Sequence, residues 1–278
     1  MGFLARQSYE FPTEEALKKY LQEHPKANKS LHHVAPRTQK PLPKVVPPQV
    51  EESKTPAKKF TPTKADREDE KEISELFTSY DAKTKEWSNT PYQEKVDKSL
   101  SDLQKTYIKK YTGDYYVEFN MALRSTNERQ YRSNLEGSYS FDYSAAKFMA
   151  STLTKGLKKQ KLPESIKVKR GFGLQPHLKD LFEKALSGEI DPTDIEWSDK
   201  GFSSTTIRKE TALRFASDVL CNITLPKGSP GMYVRNFSIN ANEDEFLLPP
   251  KSKFRMTAIR DKTQYSDYYE VDCELVLE

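Results

Sequence analysis

The chain is poor in cysteine, with only Cys221 and Cys273 among its 278 residues. They lie far apart and have no companion histidines at ligand spacing, which argues against a zinc site or a disulfide scaffold. Two separate buried thiols are the expectation, with a lone disulfide as the alternative. No run of 18 apolar residues occurs, so no membrane span is expected. The first residues, Met1 to Gln7, lack the apolar core of a signal peptide. They also lack the serine or threonine of a myristoylation motif. The expected location is the cytoplasm of a host or producing cell, reached by a signal-less route where export occurs, or carriage in a virion. No internal repeat is present.

A strong charge excess is missing too. Lys and Arg number 45 against 41 Asp and Glu, a net charge of +4. Residues 1–64 carry 12 basic against 6 acidic side chains, which leaves the rest of the chain near neutral. A dedicated nucleic-acid binder concentrates a large basic excess on its folded part, so that class is set aside. The basic N-terminal part suits weak contact with an acidic partner or nucleic acid. The length fits one sizeable domain with appendages, expected as a monomer.

Residues 1–35 read as a short N-terminal helical segment. Thr13 caps a helix over 13–22 with Ala16, Leu17, Tyr20 and Leu21 on one face. A helix this short needs a surface to dock on. His24, His32 and His33 follow without acidic or thiol partners, so a solvated turn is expected rather than a metal site. Residues 36–64 form a Pro/Lys-rich linker of polyproline character, with prolines from Pro36 to Pro62.

Residues 65–278 form the main domain. Ile73, Leu76, Phe77 and Tyr80 predict a helix over 66–80. Pro91 starts another, whose face Val96, Leu100, Leu103 and Tyr107 runs on to Lys110. Thr112 to Asp114 break it, and helices over 115–124 and 142–160 follow. After Pro163 the pattern turns strand-like. Ile166 to Arg170 alternate, and Gly171 and Gly173 end the strand. A helix near 177–187 stops at Gly188. A strand at 201–206 and a short helix at 209–218 come next. Strands are expected near 221–225, 231–236, 245–249, 254–260 and 267–277. A helical front and a strand-rich back predict an α+β fold.

Three motifs stand in order along this second half. Val168-Lys169-Arg170-Gly171 places an arginine on a strand. Phe202-Ser203-Ser204-Thr205-Thr206 is a hydroxyl-rich strand. Glu243-Asp244-Glu245 precedes the apolar run Phe246-Leu247-Leu248. In extended chain, residues i and i+2 share a face about 7 Å apart. Two carboxylates so placed suit a reaction in which one steadies an electron-poor centre and the other handles a nucleophile. Taken alone, the pair also reads as two solvated acids in an edge turn.

The order and flanks of these motifs resemble the Arg-Ser-Glu class of mono-ADP-ribosyltransferases, and the Glu-x-Glu form resembles its arginine-modifying members. Tyr111-Thr112-Gly113, Asn120 and Leu123-Arg124 are similar to the helical part of the exoenzyme-type and phage-encoded transferases. The likeness spans roughly 105–278. It implies two packed antiparallel sheets around an NAD cleft, NAD as substrate, no metal, and target proteins modified on arginine.

The resemblance also implies roles for the residues. Arg170, beside Gly171, would hold the NAD pyrophosphate, because a guanidinium matches phosphate oxygens. Glu245 would stabilise the oxocarbenium-like ribose. Glu243 would orient the acceptor guanidinium and take its proton. Ser204 would hold Glu245, with Thr205 and Thr206 shaping the floor. Phe202 reads as core or as a wall beside the nicotinamide. Thr206 stands where the family more often has serine. Phe172, Leu174 and Phe182 are candidates to pack near NAD from the segment between Arg170 and Phe202. The turn 236–243 would recognise the target, with Phe237 stacking on the acceptor or buried in the core. The alternatives are an NAD glycohydrolase and a binding or virion-associated module with an idle transferase fold.

Overall fold

In the computed structural model, the described residues are 9–11, 18, 22, 32–34, 63–136, 139–261 and 268–277. Strands β1 (Tyr9–Phe11) and β2 (His32–Val34) pair in parallel. His32 and His33 therefore sit in a strand and not in the expected turn. Lys18 and Gln22 are helical. The rest of the 13–22 helix, His24 and the 36–62 linker lie outside the described residues.

Thr63 and Asp66 form a capping box, each side chain bonding the other's backbone amide, and this starts α1 (Lys64–Phe77). The helix stops short of Tyr80. Residues Thr78–Asp81 form β3, which turns back on β4 (Glu86–Asn89). Tyr80 is left half-exposed, outside the buried core. Pro91 does open α2 (Pro91–Ser99) from the first turn. The single helix expected to Lys110 is broken, however. Ser101 and Gln104 make a second capping box and begin α3 (Asp102–Lys110) afresh.

A wide turn at Tyr111–Tyr115 follows, with Gly113 in a non-helical conformation. It leads into α4 (Tyr116–Arg124), α5 (Glu128–Asn134) and α6 (Tyr143–Lys159). Helix α5 was not expected, since only Tyr131 among its residues is buried. The front of the domain is helical, with Tyr107, Phe119, Phe148, Leu153 and Leu157 at its core.

The back is β-structure. Strand β5 (Ile166–Phe172) runs past Gly171, which was expected to end it. Helix α7 (Pro176–Leu186) ends at Gly188, whose φ of 77° suits glycine. Then come β6 (Glu196–Ser198), β7 (Ser203–Thr206), α8 (Lys209–Arg214), β8 (Val219–Leu225), β9 (Met232–Tyr233), β10 (Glu245–Leu248), β11 (Lys253–Arg260) and β12 (Tyr269–Val276). Their order is β6-β11-β12-β8-β5-β7-β10-β9. A single residue pair, Lys169 with Thr206, links β5 to β7. The series divides there into a five-stranded and a three-stranded sheet.

Strand alternation packs these sheets. Tyr233, Phe246 and Leu248 of the three-stranded sheet share a core with Val168, Ile223 and Val271 of the five-stranded one. Met232 and Leu247 point the other way, into the helical core. The α+β architecture of a helical front and two packed sheets is as expected. One pairing departs from antiparallel: β8 and β12 run parallel. The chain between them crosses to the other sheet and returns, which is the crossover a parallel pair needs.

Candidate active site

A cleft of about 590 Å³ opens where the helical front meets the two sheets. Each side of it is positioned by a separate element. The tight β5–β7 junction sets Arg170 and Thr206 on its floor. The wide turn and α4 bring Tyr111, Asn120 and Arg124 from the helical side. Glu243 and Glu245 approach from the end of the three-stranded sheet.

Strand β10 pairs with β7 so that Glu245 faces Thr206 and Leu247 faces Ser204. Ser204 is thus the diagonal neighbour of Glu245 on one face. Its hydroxyl stands beside the Glu245 carboxylate and favours the ionised form. Tyr111 Oη lies 3.2 Å from Ser204 Oγ, and Asn120 Nδ2 donates to Tyr111 Oη at 3.2 Å. Asn120 Oδ1 in turn accepts from the Phe202 amide at 2.8 Å. A chain of polar contacts thereby ties the helical front to Glu245.

Glu245 is only 7% exposed. Burial pushes its carboxyl up to about 7, and the Glu243 charge adds to this against the Ser204 hydrogen bond. Tyr111 is pushed up to about 12, by burial first and then by the Glu245 charge.

The cationic side is built from two arginines and one acid. Arg124 Nε and Nη2 reach Asp199 Oδ1 and Oδ2 at 3.0 and 2.6 Å. Arg170 Nη2 lies 3.8 Å from the same carboxylate. Burial pushes Asp199 up, but hydrogen bonds from Arg124 and the Gly201 amide, with the two arginine charges, hold it below its ordinary value. Burial also lowers Arg170, which Asp199 offsets. One carboxylate against two guanidiniums leaves a net positive charge on this side of the cleft.

The other expected residues fall into distinct places. Phe202 is buried against the Tyr111 ring, with centroids 5.0 Å apart, and also borders the cleft. Thr205 donates to the Phe246 carbonyl and Thr206 to the Glu243 carbonyl, both at 2.6 Å. Gly171 borders the cleft, and its lack of a side chain has a packing cause. A Cβ there would sit 2.1 Å from the Ala212 carbonyl oxygen of α8.

Phe182 is buried between Trp197 and Tyr269, away from the cleft. Phe172 and Leu174 pack at the edge of the sheet core. Of the segment after Arg170, only Gly171 lines the cleft before Phe202. Residues 207–218 instead contribute Thr211, Ala212 and Phe215, the last 57% exposed. Phe237 packs against the helical core beside Lys105 and does not line the cleft.

Asp199, Asp244 and Phe215 carry no role in the sequence reading. Asp199 is brought to Arg124 across 75 residues, and no local pattern marks it. Asn120 and Arg124 lie four apart on α4, one helical turn, which is a signal that was available.

A profile of the ADP-ribosyltransferase exoenzyme family matches residues 84–278. The chain belongs to that family. NAD is the substrate of this enzyme family. Solved structures share the fold. Plx2a, an ADP-ribosyltransferase toxin from Paenibacillus larvae, is 21% identical with a TM-score of 0.55, covering 77% of this chain and 97% of its own. The Clostridium limosum C3 exoenzyme is 19% identical with a TM-score of 0.50, covering 67% and 93%. The ADP-ribosyltransferase Vis from Vibrio splendidus, in complex with agmatine, is 18% identical with a TM-score of 0.52, covering 78% and 88%. The comparison with curated proteins found no match. The expected family is thus borne out. Among the described residues no helix is long and apolar enough to cross a membrane.

Proposed function

We propose that this ADP-ribosyltransferase transfers ADP-ribose from NAD to arginine side chains of target proteins and releases nicotinamide. The observation that carries the reading is that Glu243 and Glu245 face one cleft, with Ser204 beside Glu245 and two arginines opposite. A cleft of this volume accommodates a dinucleotide.

In this reading Arg170 and Arg124 bind the pyrophosphate of NAD. Ionised Glu245 stabilises the positive charge that builds on the ribose as the nicotinamide bond breaks. The Ser204 hydroxyl holds that carboxylate. Glu243, half-buried at the mouth, takes the acceptor guanidinium. An arginine side chain has a pKa above 12 and needs a positioned base as the new bond forms. Glu243 also favours transfer over a hydrolase role, since water needs no carboxylate to orient a guanidinium. Vis was crystallised with agmatine, which carries a guanidinium, and the same acceptor chemistry is proposed here. The proposed setting is a toxin or effector acting on host-cell proteins, whether encoded by a bacterium or a phage.

The test uses labelled NAD, the purified chain, Glu245→Gln and Glu243→Gln variants, and agmatine or lysate as acceptor. Wild type is expected to label agmatine. Glu245→Gln should abolish all NAD turnover, while Glu243→Gln should lose transfer and keep hydrolysis. NAD consumption with no labelled acceptor would favour a glycohydrolase instead. No NAD consumption at all would overturn the reading.

A further inference from the structure

We propose that Asp244, between the two candidate catalytic glutamates, is a positioning residue that aims Glu243 and so sets the ratio of transfer to hydrolysis. This rests on the transfer reading above. Asp244 is 2% exposed, whereas its neighbours Glu243 and Glu245 both line the cleft. It is turned back into the protein, and three donors from two segments, Arg208 after β7 and Tyr233 with Arg235 at β9, meet its carboxylate. Arg208 Nε binds one oxygen. Tyr233 Oη and Arg235 Nη1, the latter at 3.0 Å, bind the other. Charged donors to a buried carboxylate make strong and directional bonds.

The backbone gives this clamp its purpose. Asp244 holds φ 47° and ψ 51°, the left-handed region. A non-glycine residue there carries strain that its surroundings must hold. The peptides on both sides are caught as well. The Glu243 carbonyl accepts from the Thr206 hydroxyl at 2.6 Å, and the Asp244 carbonyl from the Ile207 amide at 3.3 Å.

The two glutamates do not depend on Asp244 equally. Glu245 begins a paired strand, opposite Thr206 and diagonal to Ser204. Glu243 ends a short helical turn, Ala241–Glu243, and its amide reaches only as far as Asn240. Freeing residue 244 therefore swings Glu243 more than Glu245. A misplacement on the order of 1 Å costs about 100-fold in rate.

The experiment compares the full chain with Asp244→Ala, Asp244→Gly and Arg208→Gln. Each is assayed for agmatine labelling, for NAD hydrolysis without acceptor, and for the KM of NAD. Thermal melts on the same samples check folding. In Asp244→Ala, transfer is expected to fall about 100-fold and hydrolysis less than about tenfold, with KM for NAD nearly unchanged. Arg208 is half-exposed, so Arg208→Gln tests the clamp without threatening the fold, and it should shift the ratio the same way by less.

Glycine tolerates the left-handed conformation. A wild-type ratio in Asp244→Gly would therefore mean that only the backbone mattered, and would overturn the proposal. So would an equal fall of transfer and hydrolysis in every variant. A wild-type chain that consumes no NAD would bring down the transfer reading itself, a result distinct from active wild type with unaffected variants.

Discussion

Arg124 and Asp199 face each other as a fork, both nitrogens of one edge on both oxygens of the other, at 3.0 and 2.6 Å. Such a pair fixes the guanidinium in plane and rotation, which a single contact does not. Arg170 stands 3.8 Å behind the same carboxylate. Asp199→Ala is expected to raise the KM of NAD about tenfold with a smaller change in kcat, because it loosens binding more than chemistry. Steady-state kinetics check this. A fall in kcat at constant KM would place Asp199 elsewhere in the reaction.

Glu245 yields a pH prediction. Its carboxyl is raised to about 7 in the folded protein, and in the proposed reaction the ionised form stabilises the ribose cation. The kcat/KM for NAD should rise with pH through about 7 and level off above it. A flat profile from pH 5 to 9 would contradict this.

The same shift has a stability consequence of opposite sign. Between the ordinary value of 4.5 and about 7, the folded state holds a proton on Glu245 that the unfolded state releases. Stability from this group is therefore present below pH 4.5 and is lost as pH rises through 7. Glu245→Gln should stabilise the protein at pH 8 by on the order of 1–3 kcal/mol while abolishing turnover. Melting curves of both proteins at pH 5 and pH 8 decide it.

Gly171→Ala should be far more harmful than an ordinary strand substitution. Its new Cβ would meet the Ala212 carbonyl at 2.1 Å and the Ala216 amide at 2.4 Å, both backbone atoms. Helix α8 must move, and Thr211, Ala212 and Phe215 leave the cleft with it. The cost should be about 1–3 kcal/mol of stability, together with a loss of NAD turnover. Circular dichroism melts and an NAD assay measure the two separately.

Helix α1 precedes the family-matched region yet belongs to the catalytic body. Phe77 is fully buried and stacks on Tyr233 at 4.5 Å, and the Phe246 ring is 6.0 Å away. Asp66 and Glu70 also hold Lys209 at the start of α8. A 63–278 fragment should keep NAD cleavage, whereas an 84–278 fragment should lose it. Phe77→Ala should cost about 3–5 kcal/mol. Activity retained in 84–278 would show α1 to be dispensable.

The family and its candidate residues were legible in the sequence because they are short-range features. Arg170 on its strand and the Ser204 strand depend on a few adjacent residues and on strand alternation; the Glu243–Glu245 spacing is equally local, but a helical turn and left-handed Asp244, not the expected extended chain, bring the two to one cleft. The helical front and the strand-rich back were legible for the same reason, since periodicity is local. The local signs that misled were those whose partners were distant. Tyr80 kept helical spacing but found no core, and Phe182 looked like a cleft residue until the sheets enclosed it.

By itself, the sequence determined which side chains were available and which of them alternate onto one face. Only the tertiary structure decided that Asp199 lies between two arginines, that Asp244 turns inward, and that Phe215 rather than Phe172 borders the cleft. These arrangements come from segments tens of residues apart, brought together by the packing of two sheets. Burial then set most of the Glu245 proton affinity, because lost solvent disfavours the charged carboxyl, and the nearby Glu243 charge adds to it.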